Sequence, residues 1–422
     1  MDLSRYILKS IAAAVTEPGS VIMLVVLSII LYAKNKKISL MQKMIMGEYI
    51  HSPLELTLSQ MVLGIVFGSI GSSILAYLGV AFDGNSGIWI LFIISIILML
   101  YNPRFFCFSY SASILGFVSV IINIFYKDTM SEIPISINIV SLMTFVGIMH
   151  VLEGFLVMFD GAKGAMPVFT SKDGNVAGGF ALKRYWPLPV ALIIIMSGNA
   201  DFSVKLTSWP GWWPLIQHGI MYTVLTTAAI QMMTLYGVIG YSSYTFKMNK
   251  KQKTRFSGIC ILIYGLVLTG VAQFGEINII SQIAVIIFAP VAHEFMLYIQ
   301  RVIEAKKDYI YVSDDGICIL DVMRDSPAEK IGIKSGDKIL EINGEIVDNE
   351  KSLFATLRKR YIKMDFLIRS INGEIKTISC DNLNGRRFGI VVVPKAVELN
   401  NIISAKKDSF QEILSKKKKE NH

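Results

Sequence analysis

Few side chains in this sequence can do chemistry, and none falls into a complete catalytic pattern. His293 and Glu294, in Val-Ala-His-Glu-Phe-Met-Leu-Tyr, supply the first half of HExxH, in which two histidines one helical turn apart bind zinc and the glutamate acts as a base. Position 297, where the second histidine belongs, is Leu. The remaining histidines, His51, His150, His218 and His422, are dispersed along the chain, so a zinc site is not expected. His150 and Glu153 lie one turn apart in Ile-Met-His-Val-Leu-Glu-Gly-Phe. Ionisable groups inside an apolar run point to function by default, yet a hydrogen bond between helices is the plainer use. The four cysteines, Cys107, Cys260, Cys318 and Cys380, form no CxxC pair and read as small buried hydrophobes. There is no Gly-x-Ser-x-Gly elbow, and the small residues Gly71, Ser72 and Ser73 suit close helix packing. The expectation is therefore a protein with no catalytic residue, metal ligand or cofactor.

The elements that hold these groups belong to a membrane protein. Of 422 residues 53% are hydrophobic and only 17% charged, with a mean hydropathy of +0.52. The net charge of +9 sits beside apolar runs, which points to membrane topology and away from nucleic acid. A bilayer core takes roughly 20 apolar helical residues to cross. Stretches of that kind occupy about 20–33, 60–81, 87–102, 105–126, 134–159, 214–240, 256–274 and 278–299, and 187–198 is a short ninth that opens on prolines. A polytopic α-helical domain of eight to nine spans over 19–300 follows, preceded by an interfacial N-terminal segment, 1–18. Counting 187–198 as a crossing puts the N-terminus outside and the C-terminal half in the cytoplasm of a bacterial cell. Only Arg5, Lys9, Lys127 and Lys205 then fall outside, while the lysines and arginines around 34–43, 163–184, 247–255 and 301–307 fall inside. Trp209, Trp212 and Trp213 suit an outer interfacial belt.

Between two spans lies an ordered loop, 160–187. Pro167 to Ser171 and Val176 to Leu182 read as strands around the turn Lys172-Asp173-Gly174-Asn175, a short cytoplasmic hairpin. Such a loop can dock a partner or cap the helical bundle.

From 309 to 395 the period changes to short strands and turns. Gly316 to Val322 reads as a strand, Asp325 to Gly332 as a capped short helix, Lys338 to Asn343 as a strand, Asn349 to Tyr361 as an amphipathic helix, and three further strands follow. The run Asp-Ser-Pro-Ala-Glu-Lys-Ile-Gly-Ile-Lys-Ser-Gly-Asp-Lys-Ile-Leu-Glu-Ile-Asn-Gly at 325–344 resembles the bacterial PDZ signature. The resemblance implies a small α+β domain of the circularly permuted bacterial type, in which a partner segment adds a strand beside a groove. It also implies peptide binding by the loop Arg387-Phe388-Gly389-Ile390, with Arg386 or Arg387 adding charge and Leu353 and Leu357 on the facing wall. The alternative use of 388–393 is a plain core strand.

Residues 396–422 end in Lys416-Lys417-Lys418-Lys419, a basic tail able to touch anionic lipid. Taken with the many spans, the Pro-Val-Phe-Thr-Ser-Lys-Asp-Gly-Asn-Val-Ala-Gly-Gly loop and Trp186-Pro187, the C-terminal PDZ signature makes the chain similar to the MinJ-type division topology proteins of Gram-positive bacteria. That resemblance implies a non-enzymatic membrane scaffold joining a DivIVA-like polar protein to a MinD-like partner, so placing the division site. Two other classes compete. One is a regulator or degenerate relative of PDZ-bearing membrane proteases; the other is a transporter-like domain with a regulatory PDZ, for which the glycine-rich spans 60–81 and 256–274 are the hint.

Overall fold

The computed structural model describes residues 3–46, 50–126, 136–172, 175–196, 213–216, 229–359, 362–381 and 387–395. Its first half contains helices α1 (Leu3–Thr16), α2 (Pro18–Met46), α3 (Pro53–Leu78), α4 (Ile90–Tyr101), α5 (Phe108–Tyr126), α6 (Ile139–Asp160), α7 (Lys250–Ala272) and α8 (Ile279–Ala305). Among the described residues, six of these, α2, α3, α5, α6, α7 and α8, are long and apolar enough to cross a membrane. Their outward faces carry side chains such as Ile22, Phe125 and Ile280, which water would not tolerate in such numbers. The interfacial segment expected at the N-terminus is α1, and the basic tail lies outside the described residues.

At the centre, α6 and α7 touch backbone to backbone. Gly147 and Gly154 of α6 face Gly265 and Gly258 of α7, so a Cβ on Gly154 would stand 2.7 Å from the Gly258 carbonyl oxygen and one on Gly265 2.6 Å from that of Gly147. Within lipid, where apolar burial gives helices little reason to associate, such small-residue seams let van der Waals contact do so.

Two expected spans are strands. Strands β1 (Ala81–Asp83), β2 (Met166–Lys172), β3 (Asn175–Met196) and β4 (Ala229–Thr245) form one sheet, with β3 paired antiparallel to β4 from Phe180–Thr245 to Met196–Ala229. Hence 187–196 is strand, not a short helix; of 214–240, residues 229–240 are strand and 217–228 lie outside the described residues. The local physics favours this outcome. Pro187 and Pro189 cannot sit inside a helix, and Val190 with Ile193, Ile194 and Ile195 prefers extended backbone. Nearly all of β3 is buried on both faces, so it lacks the polar alternation that separates a strand from a span. The expected hairpin is β2 paired antiparallel with the start of β3 from Met166–Ala181 to Lys172–Asn175, one residue longer at the turn on each strand than expected, with 173–174 outside the described residues.

A strand at such depth needs every backbone group covered by protein. Over 182–192, β3 has neither β2 nor β1 beside it, and α3 takes that edge. Gly64, Gly68 and Ser72 recur every four residues, about 6 Å along a helix. They match Pro187, Pro189 and Ala191, spaced every two residues, about 6.6 Å along a strand. A Cβ on Gly64 or Gly68 would run into the carbonyl oxygens of Pro187 and Pro189, the prolines have no N–H to lose, and Ser72 Oγ accepts the Ala191 N–H at 2.9 Å. On the far side α1 lies against β4: Tyr6 Oη accepts the Met232 N–H at 3.0 Å and Tyr236 Oη donates to the Ala14 carbonyl at 2.7 Å.

At the end of α6 the buried carboxylate of Asp160 binds Arg184 of β3, accepts Trp186 Nε1–H at 2.9 Å and Ser59 Oγ–H at 2.6 Å, and lies 3.2 Å from Lys163 Nζ. Arg184 and Asp160 are both fully buried, so each is the other's compensation.

The soluble half contains β5 (Ile317–Val322), α9 (Pro327–Lys330), β6 (Lys338–Ile342), β7 (Glu345–Ile346), α10 (Glu350–Arg358), β8 (Lys363–Arg369), β9 (Ile375–Asp381) and β10 (Ile390–Val392), close to the expected order. The sheet runs β10-β5-β6-β8-β9, with β7 paired to β6. Ser326 caps α9 by accepting the Glu329 N–H, and Asn349 with Ser352 forms a capping box on α10.

Candidate functional site

The sites picked out from the sequence sit around the last strand of this half. Phe388 is buried, its ring stacked on Phe366 with centroids 4.8 Å apart, and Leu353, Leu357, Ile390 and Val392 share the same apolar cluster. Gly389 has φ of 82°, and a Cβ there would strike Ser326, so this position needs glycine for two separate reasons. The loop is pinned to α9 and the segment before it: Met323 N–H donates to the Gly389 carbonyl at 2.8 Å and Ala328 N–H to that of Phe388 at 3.1 Å. The structure thus brings Phe388, Gly389, Ile390, Leu353 and Leu357 together, but as the core beneath a groove. Exposed beside this core are Arg387, at the start of the loop, and Phe354, 39% exposed on α10. β10 ends the sheet, so its outer edge pairs with no described strand, the geometry that strand addition requires.

Among known families, residues 299–366 match the PDZ domain model. The soluble half is a PDZ domain. Over 238 residues, 55% of this chain and 55% of that protein, the chain is similar to the cell division topological determinant MinJ of Bacillus subtilis (strain 168), at 24% identity. The chain spans about half the length of the curated relative it matches. The chain thus combines membrane-length apolar helices with a PDZ domain and is similar to MinJ over about half of its length.

The PDZ domain does not hang from a tether. Along β5 and β10 successive side chains face opposite ways: Ile317, Ile319, Ile390 and Val392 enter the PDZ core, while Cys318, Leu320, Val391 and Val393 join the core of the membrane half. The hairpin loop is the dock. Gly178 N–H donates to the Tyr311 carbonyl at 2.8 Å, Ala177 bridges Val312, and the rings of Phe180 and Tyr311 meet edge to face at 5.6 Å. Lys250 Nζ lies 2.5 Å from Asp321 Oδ2. Burial at this junction pushes the Tyr311 hydroxyl and the Cys318 thiol up to about 12 each. A partner-docking loop was one of two uses open to the hairpin; the partner it holds is the chain's own PDZ domain.

A second constellation lies in the membrane half, where the sequence pointed to His150, Glu153, His293 and Glu294 separately. The turn from α4 to α5 carries Cys107 to the two histidines: its Sγ is 3.1 Å from His150 Nε2 and 3.6 Å from His293 Nε2. Glu294 points away, bonded to Tyr110 and Arg104. Expected spans 87–102 and 105–126 are α4 and α5, and their turn stops beside His150, ten residues or about 15 Å short of the end of α6. Cys107 was missed because nothing in its neighbourhood, Arg104-Phe105-Phe106-Cys107-Phe108, pairs it with a ligand by spacing.

Proposed function

We propose that this chain is an integral membrane adaptor of bacterial cell division, whose PDZ domain recruits protein partners to the membrane. The carrying observation is the geometry of the PDZ domain: one face of its β5–β10 ribbon is fixed to the membrane half while the outer edge of β10 has no described strand beside it. A domain held this way presents its groove in a constant orientation, which suits a protein that brings two partners together. Similarity to a division topological determinant gives the process, and polar-scaffold (DivIVA-like) or MinD-like proteins are the partners it suggests. The reading assigns binding and no catalysis. It puts the PDZ domain in the cytoplasm, because the dock is rich in the cations Lys247, Lys250, Lys251, Lys253 and Arg255.

Gently solubilised cells carrying wild-type, Arg387→Glu or Phe354→Asp chains test this by quantitative co-purification. Both side chains are exposed, so the variants fold, and division proteins should be lost from each at least severalfold. An unchanged set of partners would remove the groove from the function.

A further inference from the structure

Cys107, His150 and His293 come from three elements that the sequence never places together, and their ligating atoms all lie within 4.8 Å of one another. We propose that they form a binding site for a zinc-type divalent transition-metal ion that ties the α4–α5 turn to α6 and α8. Tetrahedral zinc, with bonds of about 2.3 Å to sulfur and about 2.0 Å to imidazole, requires sulfur-to-nitrogen separations of about 3.5 Å. The two measured separations, 3.1 and 3.6 Å, bracket that value.

The hydrogen bonds around the trio leave it short of protons. His150 Nδ1 lies 2.8 Å from the Val146 carbonyl, which can only accept, so the proton of neutral His150 is on Nδ1 and Nε2 is a bare lone pair. On the other side Tyr110 gives its hydroxyl proton to Glu294, so its oxygen accepts from His293 Nδ1 at 3.3 Å, and His293 Nε2 is bare as well. Ser109 does not make up the deficit: Tyr264 donates to the Ala289 carbonyl at 2.8 Å and therefore takes the Ser109 hydroxyl proton at 2.7 Å. Two buried imidazole lone pairs thus converge on a single thiol, which has one proton to offer. One acceptor would go unsatisfied, at about 1–3 kcal/mol. A cation bound by the thiolate and both nitrogens satisfies all three.

The surroundings also suit an ion. Each imidazole is oriented through its other nitrogen, His150 by a backbone carbonyl and His293 by Tyr110, itself held by Glu294 and Arg104, as metal-binding histidines generally are. Ser109 N–H points at Cys107 Sγ at 3.4 Å. Glu153 Oε2, 3.9 Å from His150 Nε2, supplies with the thiolate the two negative charges that balance a divalent cation in a low-dielectric site. Pro290 deprives the Ile286 carbonyl of its helical donor, Ser113 Oγ of α5 replaces it at 2.8 Å, and α5 and α8 are thereby fixed beside the trio.

The test uses the full chain purified in detergent. Metal analysis should find one zinc ion per chain, and Co²⁺ added after chelator treatment should give a thiolate-to-cobalt charge-transfer band that Zn²⁺ abolishes. Cys107→Ser should remove that band and lower bound metal at least about tenfold, and Tyr110→Phe, which only loosens the orientation of His293, should weaken affinity by roughly 10–100-fold. Folded wild-type protein that binds no Co²⁺, or binds it without the charge-transfer band, overturns the site whatever the variants do; so does a folded Cys107→Ser chain that keeps the band.

Discussion

The two sheets of this molecule are held in opposite ways. The β3–β4 sheet shares the core of the helices: β3 is buried, its edge is covered by Gly64, Gly68 and Ser72 of α3, and Tyr6 of α1 takes the Met232 N–H of β4. The PDZ sheet folds over its own apolar cluster, ends at β10 with an outer edge that no described strand pairs, and lends the reverse faces of β5 and β10 to the membrane half. Placed among apolar helices, a backbone donor left over would cost several kcal/mol, so the first sheet is sealed. In water the same donor costs little and can be kept for a partner. The difference places structure in the first sheet and recognition in the second.

If the membrane sheet is sealed by specific groups, removing one should be far more damaging than any change at the PDZ edge. Asp160→Ala leaves the fully buried Arg184 uncompensated and should cost about 3–5 kcal/mol. Thermal unfolding of the solubilised protein measures this, and a melting temperature within error of wild type would mean that Arg184 finds other partners. Gly154→Leu comes next. Its side chain has no room against the Gly258 carbonyl and should cost about 1–3 kcal/mol through the separation of α6 from α7. Because His150 and Tyr264 meet across that seam, with ring centroids 4.9 Å apart, the same variant should also disturb the Cys107 trio, seen as a weaker cobalt band.

The junction between the two regions should yield at lower energy. A Cβ on Gly178 would stand 2.6 Å from Val393 Cγ2 and 3.2 Å from Leu320, so Gly178→Leu should lever the PDZ domain off while leaving the PDZ domain's own core intact. Cys318 reports the event. Docked, it is fully buried and its thiol is held up to about 12, so at neutral pH it carries almost no thiolate and resists alkylation. The sign is fixed by the direction of the shift: burial favours the protonated form, and only opening returns the thiol towards its ordinary reactivity. A tenfold faster labelling would correspond to about 1.4 kcal/mol of lost docking. Unchanged labelling in a folded variant would show that the two halves do not depend on this contact.

The contrast also explains what could be read from the residues. The PDZ half is punctuated by groups with one local meaning: Ser326 and Asn349 as caps, Gly332, Gly336, Gly344 and Gly373 at positive φ, and strand runs of conventional length. In the membrane half the punctuation disappears. The run from Leu188 to Met196 is apolar whether it is helix or strand, because both faces are buried, and Pro187 and Pro189 are the only local objection to a span. Gly64, Gly68 and Ser72 look like a helix-packing stripe, and they are one, but the partner is a strand whose spacing happens to match. The trio of Cys107, His150 and His293 is invisible for a related reason: its members are 43 and 143 residues apart in sequence, and only the depth of the α4–α5 turn brings them together. The core residues of the PDZ loop were found, but as groove wall, because a sequence shows that Leu353 and Leu357 share a face and not what that face meets.

The smallest effect separates electrostatic docking from shape. Lys250 and Asp321 are 2.5 Å apart, their side chains 29% and 12% exposed, so the pair lies between a screened surface bridge and a buried one. Lys250→Glu places two carboxylates together and should cost on the order of 1 kcal/mol, a severalfold rise in Cys318 labelling, with the melting of the membrane half unmoved. Reversing both partners, Lys250→Asp with Asp321→Lys, restores the attraction but in a different geometry. Recovery of slow labelling would assign the loss to charge. Failure to recover would mean that the Lys250 stem, which also lies over the Phe180 ring with its Nζ 5.6 Å from the centroid, holds the domain by packing on the hairpin. In that case the junction belongs with the sealed sheet and not with the open edge, and the boundary between structure and recognition moves one strand further into the PDZ domain.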